Sequence, residues 1–375
     1  MTCEDYRAWV EVDLTRLDHN VMALMDLLPP ETEFMAVIKA NAYGHGSVEV
    51  AKRLVQSGVH QFAVAEIDEA IKLRRNGIEG EILILGYTPT HRLDDLLVND
   101  LTQTVVNAED GERLGKFGKN LKVHVKIDTG LNRLGEHYEN TDKILSMYRH
   151  KNLQIEGTFS HLAAADSLQD RDDSFTRAQY NRLQKIAELV LENGYKPGKI
   201  HILNSYGILN YPDMHLEMVR SGIALYGVLS STNTSVRSKI ILLPVLSLKA
   251  RVSRVNRVKA GNSVGYGLSF TATRDSVVAT VTIGYADGIP RQLSELGGEV
   301  LICGQRAPII GNISMDQLSV DVTEINNIRQ GDIVTLIGQD GSETINSEDI
   351  ATLTGTITNE LLSTIGDRVK RKIIK

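Results

Sequence analysis

The sequence predicts an α/β chain: a (β/α)8 barrel followed by a second, mainly β domain. Three observations carry that expectation. Eight short β-branched runs alternate with helix-like segments between Phe34 and Arg220, strand patterns with glycine-rich turns follow, and no G-x-G-x-x-G comes after the first barrel strand. Strands that alternate with helices indicate a parallel sheet, and a count of eight points to closure into a barrel. An open doubly wound sheet is the competitor, but its dinucleotide-binding form has no support without the glycine fingerprint.

Barrel strands are expected at Phe34 to Lys39, Phe62 to Glu66, Ile82 to Gly86, Thr102 to Val106, Lys122 to Asp128, Gln154 to Ser160, Lys199 to Leu203 and Met218 to Arg220. Helical patterns fill the intervals at Ser47 to Gln56, Asp68 to Asn76, Asn107 to Phe117, Asn140 to His150 and Phe175 to Asn193. The polar, Ser/Thr-rich stretch Ser230 to Ser238 reads as a linker. Residues 1–235 therefore form the barrel unit and residues 236–375 the β unit, with the strand-like Ala8 to Leu14 available to pack on the latter. In the second unit, strands are expected at Leu246 to Val258, Ser276 to Ile283, Glu299 to Cys303, Leu318 to Val322 and Asp332 to Ile337. A helix-like Ser347 to Leu353 and a C-terminal Asn359 to Ile365 close the chain.

Composition excludes several classes. With 375 residues, 42% hydrophobic and 23% charged, the chain has an ordinary globular balance. A net charge of −6 lacks the broad basic footprint of a nucleic-acid binder. The most apolar stretches, Ile240 to Leu248 and Ser276 to Ala286, are about half the length of a membrane-spanning helix. Cys3 and Cys303 make no disulfide framework, which points to a reducing compartment. Met1 to Arg7 leads straight into a strand pattern without a signal-like apolar segment. The expectation is a cytoplasmic enzyme, or the cytoplasmic domain of a longer membrane protein. In that setting Asn233-Thr-Ser and Asn312-Ile-Ser, which match glycosylation acceptors, are chance matches.

Barrel enzymes place their chemistry at the C-terminal ends of the strands. Here those ends carry Lys39 with Tyr43, Lys126 with Arg133, His161, Asn204-Ser205, and Arg220-Ser-Gly222-Ile223. A lysine that ends an apolar strand is partly buried at the barrel mouth, which disfavours its charged form. Such lysines join carbonyl cofactors such as pyridoxal phosphate. The alternative is a lysine that snorkels to solvent from the rim. Barrels often bind phosphate with the loops after strands seven and eight, which supply Ser205 and Ser221-Gly222-Ile223, with Tyr43 as a further hydroxyl donor. On their own these serines and glycines are also compatible with ordinary turns.

The run Ala36-Val-Ile-Lys39-Ala-Asn-Ala-Tyr43-Gly-His-Gly46 resembles the cofactor-attachment signature of the alanine racemase family. The resemblance continues through Lys126-Ile-Asp-Thr-Gly-Leu-Asn-Arg133, Ser160-His161, Asn204-Ser205 and Arg220 to Gly227. In the second domain it includes Val264-Gly-Tyr266-Gly, Ile283-Gly-Tyr285-Ala-Asp-Gly288 and Gly311-Asn-Ile-Ser-Met315-Asp316-Gln317, so it spans nearly the whole chain. It implies a pyridoxal 5'-phosphate enzyme working as a head-to-tail homodimer, each site drawing on both chains, with a small amino acid as substrate. Lys39 would hold the cofactor and serve as the base on one face of the substrate α-carbon. Tyr266 of the other chain would be the base on the opposite face, and a turn aromatic is its bland alternative. His161 and Arg220 would form a hydrogen-bonded network beside the cofactor, with Arg220 facing the pyridine nitrogen. A salt bridge from Arg220 to Glu217 or Asp213 is the alternative. Arg133 would grip the substrate carboxylate, helped by the Met315 backbone of the partner. Lys126, often carbamylated in the family, would orient Arg133, or would be a plain structural lysine. Tyr285 would stand at the entrance, with Asp316 at the same mouth.

One position departs from the family pattern. Where alanine racemases usually carry a tyrosine in a Thr-Ile-Asn-Tyr-Glu stretch, this chain reads Thr356-Ile-Thr-Asn359-Glu360. A smaller amide that both donates and accepts would favour a hydroxymethyl over a methyl substituent, and one phosphate contact changes with it. The substitution resembles the membrane-anchored serine racemases of vancomycin-resistance systems. It implies a racemase of serine, with alanine as second substrate, supplying D-amino acid for cell-wall precursors. A plain alanine racemase is the alternative.

Overall fold

The computed structural model describes residues 6–232 and 234–374, so Cys3 and Asn233 lie outside the described residues. The first strand, β1 (Ala8–Asp13), stops one residue short of its expected end. The Asp13 carboxylate accepts from the backbone N–H groups of Thr15 and Arg16 and so caps α1 (Leu14–Met25). No helix is expected there from the strand-and-turn pattern, although Leu17, Val21 and Leu24 bury one face at helical spacing.

The barrel follows as β2 (Glu33–Val37), α2 (Ser47–Gln56), β3 (Gln61–Val64), α3 (Ile67–Arg75), β4 (Glu81–Ile84) and α4 (Leu93–Val98). It continues through β5 (Thr102–Val105), α5 (Ala108–Lys116), β6 (Leu121–Asp128), α6 (Thr141–Tyr148), β7 (Leu153–Phe159) and α7 (Asp170–Glu192). It ends with β8 (Lys199–His201), α8 (Ser205–Asn210) and β9 (Met218–Ser221). Each strand from β2 to β9 pairs parallel with the next, and β9 returns to β2 with Arg220 opposite Met35. The expected closed barrel is therefore present. Strand alternation divides its apolar residues: Met35, Val37, Ala63, Leu83 and Met218 form one cluster. Their neighbours Phe34, Ala36, Phe62, Ile82 and Ile84 join the cluster shared with the helices.

The second domain comprises β10 (Leu246–Val258), β11 (Ser276–Val281), β12 (Glu299–Ile302), β13 (Gln305–Ile310), β14 (Leu318–Asp321), β15 (Ile333–Asp340) and β16 (Glu343–Ile345). After these come α9 (Ser347–Leu353), α10 (Thr358–Ser363) and β17 (Lys370–Ile374). The sheet order is β16-β15-β12-β13-β14-β11-β10-β1-β17, and β15 also pairs with β10. Strand β13 is not expected from the sequence because Arg306 and Pro308 interrupt its apolar run; Ala307, Ile309 and Ile310 supply its buried side. Strand β17 is hidden by Lys370, Arg371 and Lys372, yet it pairs parallel with β1, Trp9 opposite Lys370 and Asp13 opposite Ile374. The chain thus starts in the β domain's sheet, builds the barrel, and returns. Among the described residues, no helix is long and apolar enough to cross a membrane.

Candidate active site

The strand expected to run to Lys39 ends at Val37. Lys39 opens a single turn, Lys39–Tyr43, in which Ala40, Asn41, Ala42 and Tyr43 have φ of 52°, 53°, 56° and 50°. Left-handed backbone costs an L-residue roughly 1–2 kcal/mol, so the turn needs external support. Glu69 on α3 provides it: one carboxylate oxygen accepts from Ala40 N at 2.6 Å and the other from Ala65 N at 2.7 Å. Asn41 Oδ1 accepts from Ser47 N at 3.0 Å, and Arg371 on β17 donates to the Gly44 carbonyl at 2.8 Å.

This turn forms one wall of a cavity of ≈ 520 Å³ at the C-terminal ends of the barrel strands. Lys39, Tyr43, Lys126, Arg133, His161, Asn204, Ser205, Arg220, Gly222, Ile223 and Asn359 all line it, together with Phe159, Asp166, Tyr206 and Ser230. Lys39, Lys126, Arg133 and Arg220 make it strongly cationic. Among the described residues, no carboxylate forms a salt bridge with any of these four. Burial holds Lys39 below the usual lysine range; Arg133 and Arg220 push the same way and Glu69 opposes them. Burial, followed by Arg220 and Arg133, pushes Lys126 well below that range, and its Nζ lies 4.2 Å from the Phe159 ring centre. Burial and then Arg220 do the same to His161.

Arg220 is 3% exposed, and burial lowers its pKa to about 9, still charged at neutral pH. It pairs with neither Glu217 nor Asp213: Glu217 accepts from Ile200 N and Asp213 pairs with Arg177. Its Nη2 donates to the Ser160 carbonyl at 2.7 Å and lies 3.4 Å from His161 Nδ1. Its Nη1 donates to His201 Nδ1 at 2.6 Å. A guanidinium only donates, so His201 carries its proton on Nε2 and gives it to His124 Nδ1 at 2.8 Å. His124 Nε2 then faces Glu81 Oε1 at 2.9 Å. The guanidinium is thereby held by a buried row of side chains that runs through the barrel.

On the other side of the mouth, Ser205 Oγ accepts from Gly222 N at 2.9 Å and Ala224 N at 3.3 Å. A Cβ on Gly222 would stand 2.7 Å from Tyr43 Oη, so this backbone approaches the cavity as only glycine can. Burial pushes Tyr43 up to about 12, which keeps its hydroxyl a donor. Asn204 Oδ1 is engaged in capping α8 through Gly207 N at 2.9 Å.

Four candidates lie outside this cavity. Tyr266 is 75% exposed, Met315 53% and Tyr285 42%, and Asp316 pairs with Arg368 at the surface. They share one face of the β domain. Asn312 Nδ2 donates to the Tyr266 carbonyl at 2.9 Å, and Tyr285 N donates to the Ser314 carbonyl at 3.1 Å. Glu69, His124, His201 and Ser230 are contributors that sequence reasoning missed. A histidine between apolar residues in each of two barrel strands, Val123-His124-Val125 and Ile200-His201-Ile202, was a readable signal; Glu69 and Ser230 gave none.

Residues 12–230 match the alanine racemase N-terminal domain and residues 245–373 the alanine racemase C-terminal domain. A protein of Enterococcus faecalis described as an amino-acid racemase is 45% identical over 98% of this chain, which spans 52% of that relative's length. An alanine racemase of Carboxydothermus hydrogenoformans is 42% identical over 97% of this chain and 98% of its own. The solved alanine racemase of Bartonella henselae, with covalently bound pyridoxal phosphate, is 31% identical with a TM-score of 0.85, covering 98% of this chain and 100% of that one. The close glycine backbone and hydroxyls around Gly222, the half-buried amine of Lys39 and the four cations without a carboxylate partner among the described residues fit a phosphate-bearing aldehyde together with a carboxylate substrate. The chain therefore belongs to the alanine racemase family, whose enzymes depend on pyridoxal 5'-phosphate.

Proposed function

We propose that this chain interconverts the enantiomers of a small amino acid, alanine among its substrates, by a two-base exchange at the α-carbon within a homodimer. One observation carries the reading. Lys39 is half-buried in a cationic cavity, while Tyr266, Tyr285 and Met315 stand exposed on a separate face where a second copy can meet them. When bound, pyridoxal phosphate supplies an electron sink that acidifies the substrate Cα–H. Ser205, Gly222, Ile223 and Tyr43 would hold its phosphate and Arg220 would face its ring nitrogen. An arginine there keeps its own proton, so the sink stays weak and side reactions are limited.

Lys39, held below the usual lysine range, moves a proton on one face of the α-carbon. Tyr266 of a second copy moves a proton on the other. Two bases are required because one base that returns its own proton regenerates the same enantiomer. Arg133 grips the substrate carboxylate; a carbamate on Lys126 would supply the carboxylate that orients it, whereas a plain Lys126 would be a structural lysine. Incubating the protein, supplied with pyridoxal phosphate, with single L-amino acids tests the reading. D-alanine should accumulate from L-alanine, and its absence would overturn the proposal.

A second reading, serine as preferred substrate, is favoured by Asn359, which lines the cavity. The relative described as an amino-acid racemase, rather than an alanine racemase, is compatible with it. If the amide bonds the substrate hydroxyl, Asn359→Tyr lowers kcat/KM for serine while sparing alanine. One partly solvated hydrogen bond is worth about 1–2 kcal/mol, or roughly 5- to 30-fold in the serine-to-alanine ratio. Parallel changes on both substrates would leave alanine racemisation as the function.

A further inference from the structure

We infer that Ser230 is a positioning residue for substrate choice, its hydroxyl fixing the Asn359 amide with nitrogen rather than oxygen turned to the cavity. This rests on the serine reading and deepens it, because the polarity of that amide decides which class of substrate side chain is accepted.

Ser230 lies on the chain leaving the barrel after β9, and Asn359 is in the first turn of α10; both line the cavity. Every polar group of Ser230 is engaged. Its N–H donates to Tyr206 Oη at 2.6 Å, which ties it to α8. Its carbonyl accepts from Thr358 N at 2.9 Å and Thr358 Oγ1 at 3.2 Å, which ties it to α10. With the backbone clamped from both sides, its hydroxyl donates to Asn359 Oδ1 at 2.8 Å. Among the described residues, Asn359 Nδ2 has no hydrogen-bond partner.

An asparagine amide has one accepting and one donating end, and a half-turn exchanges them. Engaging the oxygen on Ser230 leaves the two N–H donors for whatever enters. The cavity then offers a donor beside the α-carbon substituent, suited to a side chain with an acceptor one atom beyond Cβ, such as a hydroxymethyl oxygen. A methyl gives those donors no partner, and a site built to bond a hydroxyl discriminates against the analogue that lacks it.

The test is the serine-to-alanine ratio of kcat/KM in the enzyme loaded with pyridoxal phosphate. Ser230→Ala keeps both backbone ties but frees the amide, and the ratio should fall by about fivefold, chiefly through a raised KM for serine. Ser230→Thr restores the hydroxyl and should keep the ratio. Ser230→Cys keeps the size of the side chain but leaves only a weak donor to hold the amide oxygen, so its ratio should also fall. This variant keeps the inference testable should Ser230→Ala fold poorly. An unchanged ratio in Ser230→Ala, with Asn359→Tyr shifting it, overturns the role of Ser230 and leaves the serine reading standing. An unchanged ratio in Asn359→Tyr overturns the serine reading and this inference together. A parallel loss on both substrates in Ser230→Ala reduces Ser230 to a loop brace and also overturns it.

Discussion

Lys39 combines two properties that a surface lysine lacks: it is mostly shielded from water, and Arg133 and Arg220 act on it against the opposing Glu69. Both disfavour the ammonium and favour the proton-accepting amine. Lys39→Ala should abolish conversion from L to D and from D to L alike. Lys39→Arg should do the same, because a guanidinium keeps its proton. Chiral chromatography of both reactions checks this, and turnover retained by either variant would exclude Lys39 as a base. Gly222→Ala makes a different prediction, since its Cβ meets the Tyr43 hydroxyl at 2.7 Å. Displacing that hydroxyl costs about one hydrogen bond, so pyridoxal phosphate should bind roughly tenfold more weakly in equilibrium titration. Lys39 and Arg220 were legible in the sequence because each stands within two residues of the C-terminal end of a strand, where barrels expose side chains to the mouth. Glu69 was not, because its role depends on the Ala40 and Ala65 N–H groups that only the fold brings beside it.

The left-handed turn after Lys39 shows how an element can defy its own composition. Ala40-Asn-Ala42-Tyr43 contains no glycine, and its two alanines favour a right-handed helix. Tertiary contacts decide the matter, and among them the Glu69 carboxylate is the chief brace. Glu69→Ala leaves two backbone donors without that acceptor, which should lower stability by about 1–3 kcal/mol. Turnover should drop further than the loss of folded protein explains, because Lys39 leaves its position. Thermal melts run beside kcat measurements separate the two effects; an unchanged kcat would mean that the turn holds its shape unaided. The other elements missed in the sequence have equally local causes. Strand β13 carries Pro308, whose lack of an N–H argues against a central strand, and β17 carries three cations. In α1 the apolar spacing was present, but the strand before it ran on without a break until Asp13 turned inward to cap. Barrel strands such as β3 and β4 were legible because their short apolar runs, Phe62-Ala-Val64 and Ile82-Leu-Ile84, are buried on both faces.

At the scale of the whole molecule, the proposed site is split between two copies. Mixing inactive Lys39→Ala and Tyr266→Phe chains should restore activity, because one of the two sites in the mixed dimer receives both intact residues. No recovery, with subunit exchange verified, would place both bases on one chain. A second prediction concerns acid. Burial holds His45, His161 and His201 below the ordinary imidazole range, His45 down to about 4. Unfolded, these rings take up protons near pH 6.5; folded, they do not. Stability is therefore full above that pH and is lost as pH falls from there toward the folded values, with His45 alone accounting for roughly 3 kcal/mol. Denaturant midpoints should drop steadily from pH 7 to pH 5, and a flat profile would show that the rings ionise within the fold. The position of β1 carries a consequence in time. Its neighbours in the sheet are β10 and β17, so its last partner is made about 350 residues after it. At ribosomal speeds that is roughly 20 to 70 s during which the strand Ala-Trp-Val-Glu-Val-Asp has at least one edge unpaired, and both edges until β10 is made. The barrel, with all its strands made in between, can close first, and the nascent chain then carries β1 with an open edge until β17 emerges to cover it.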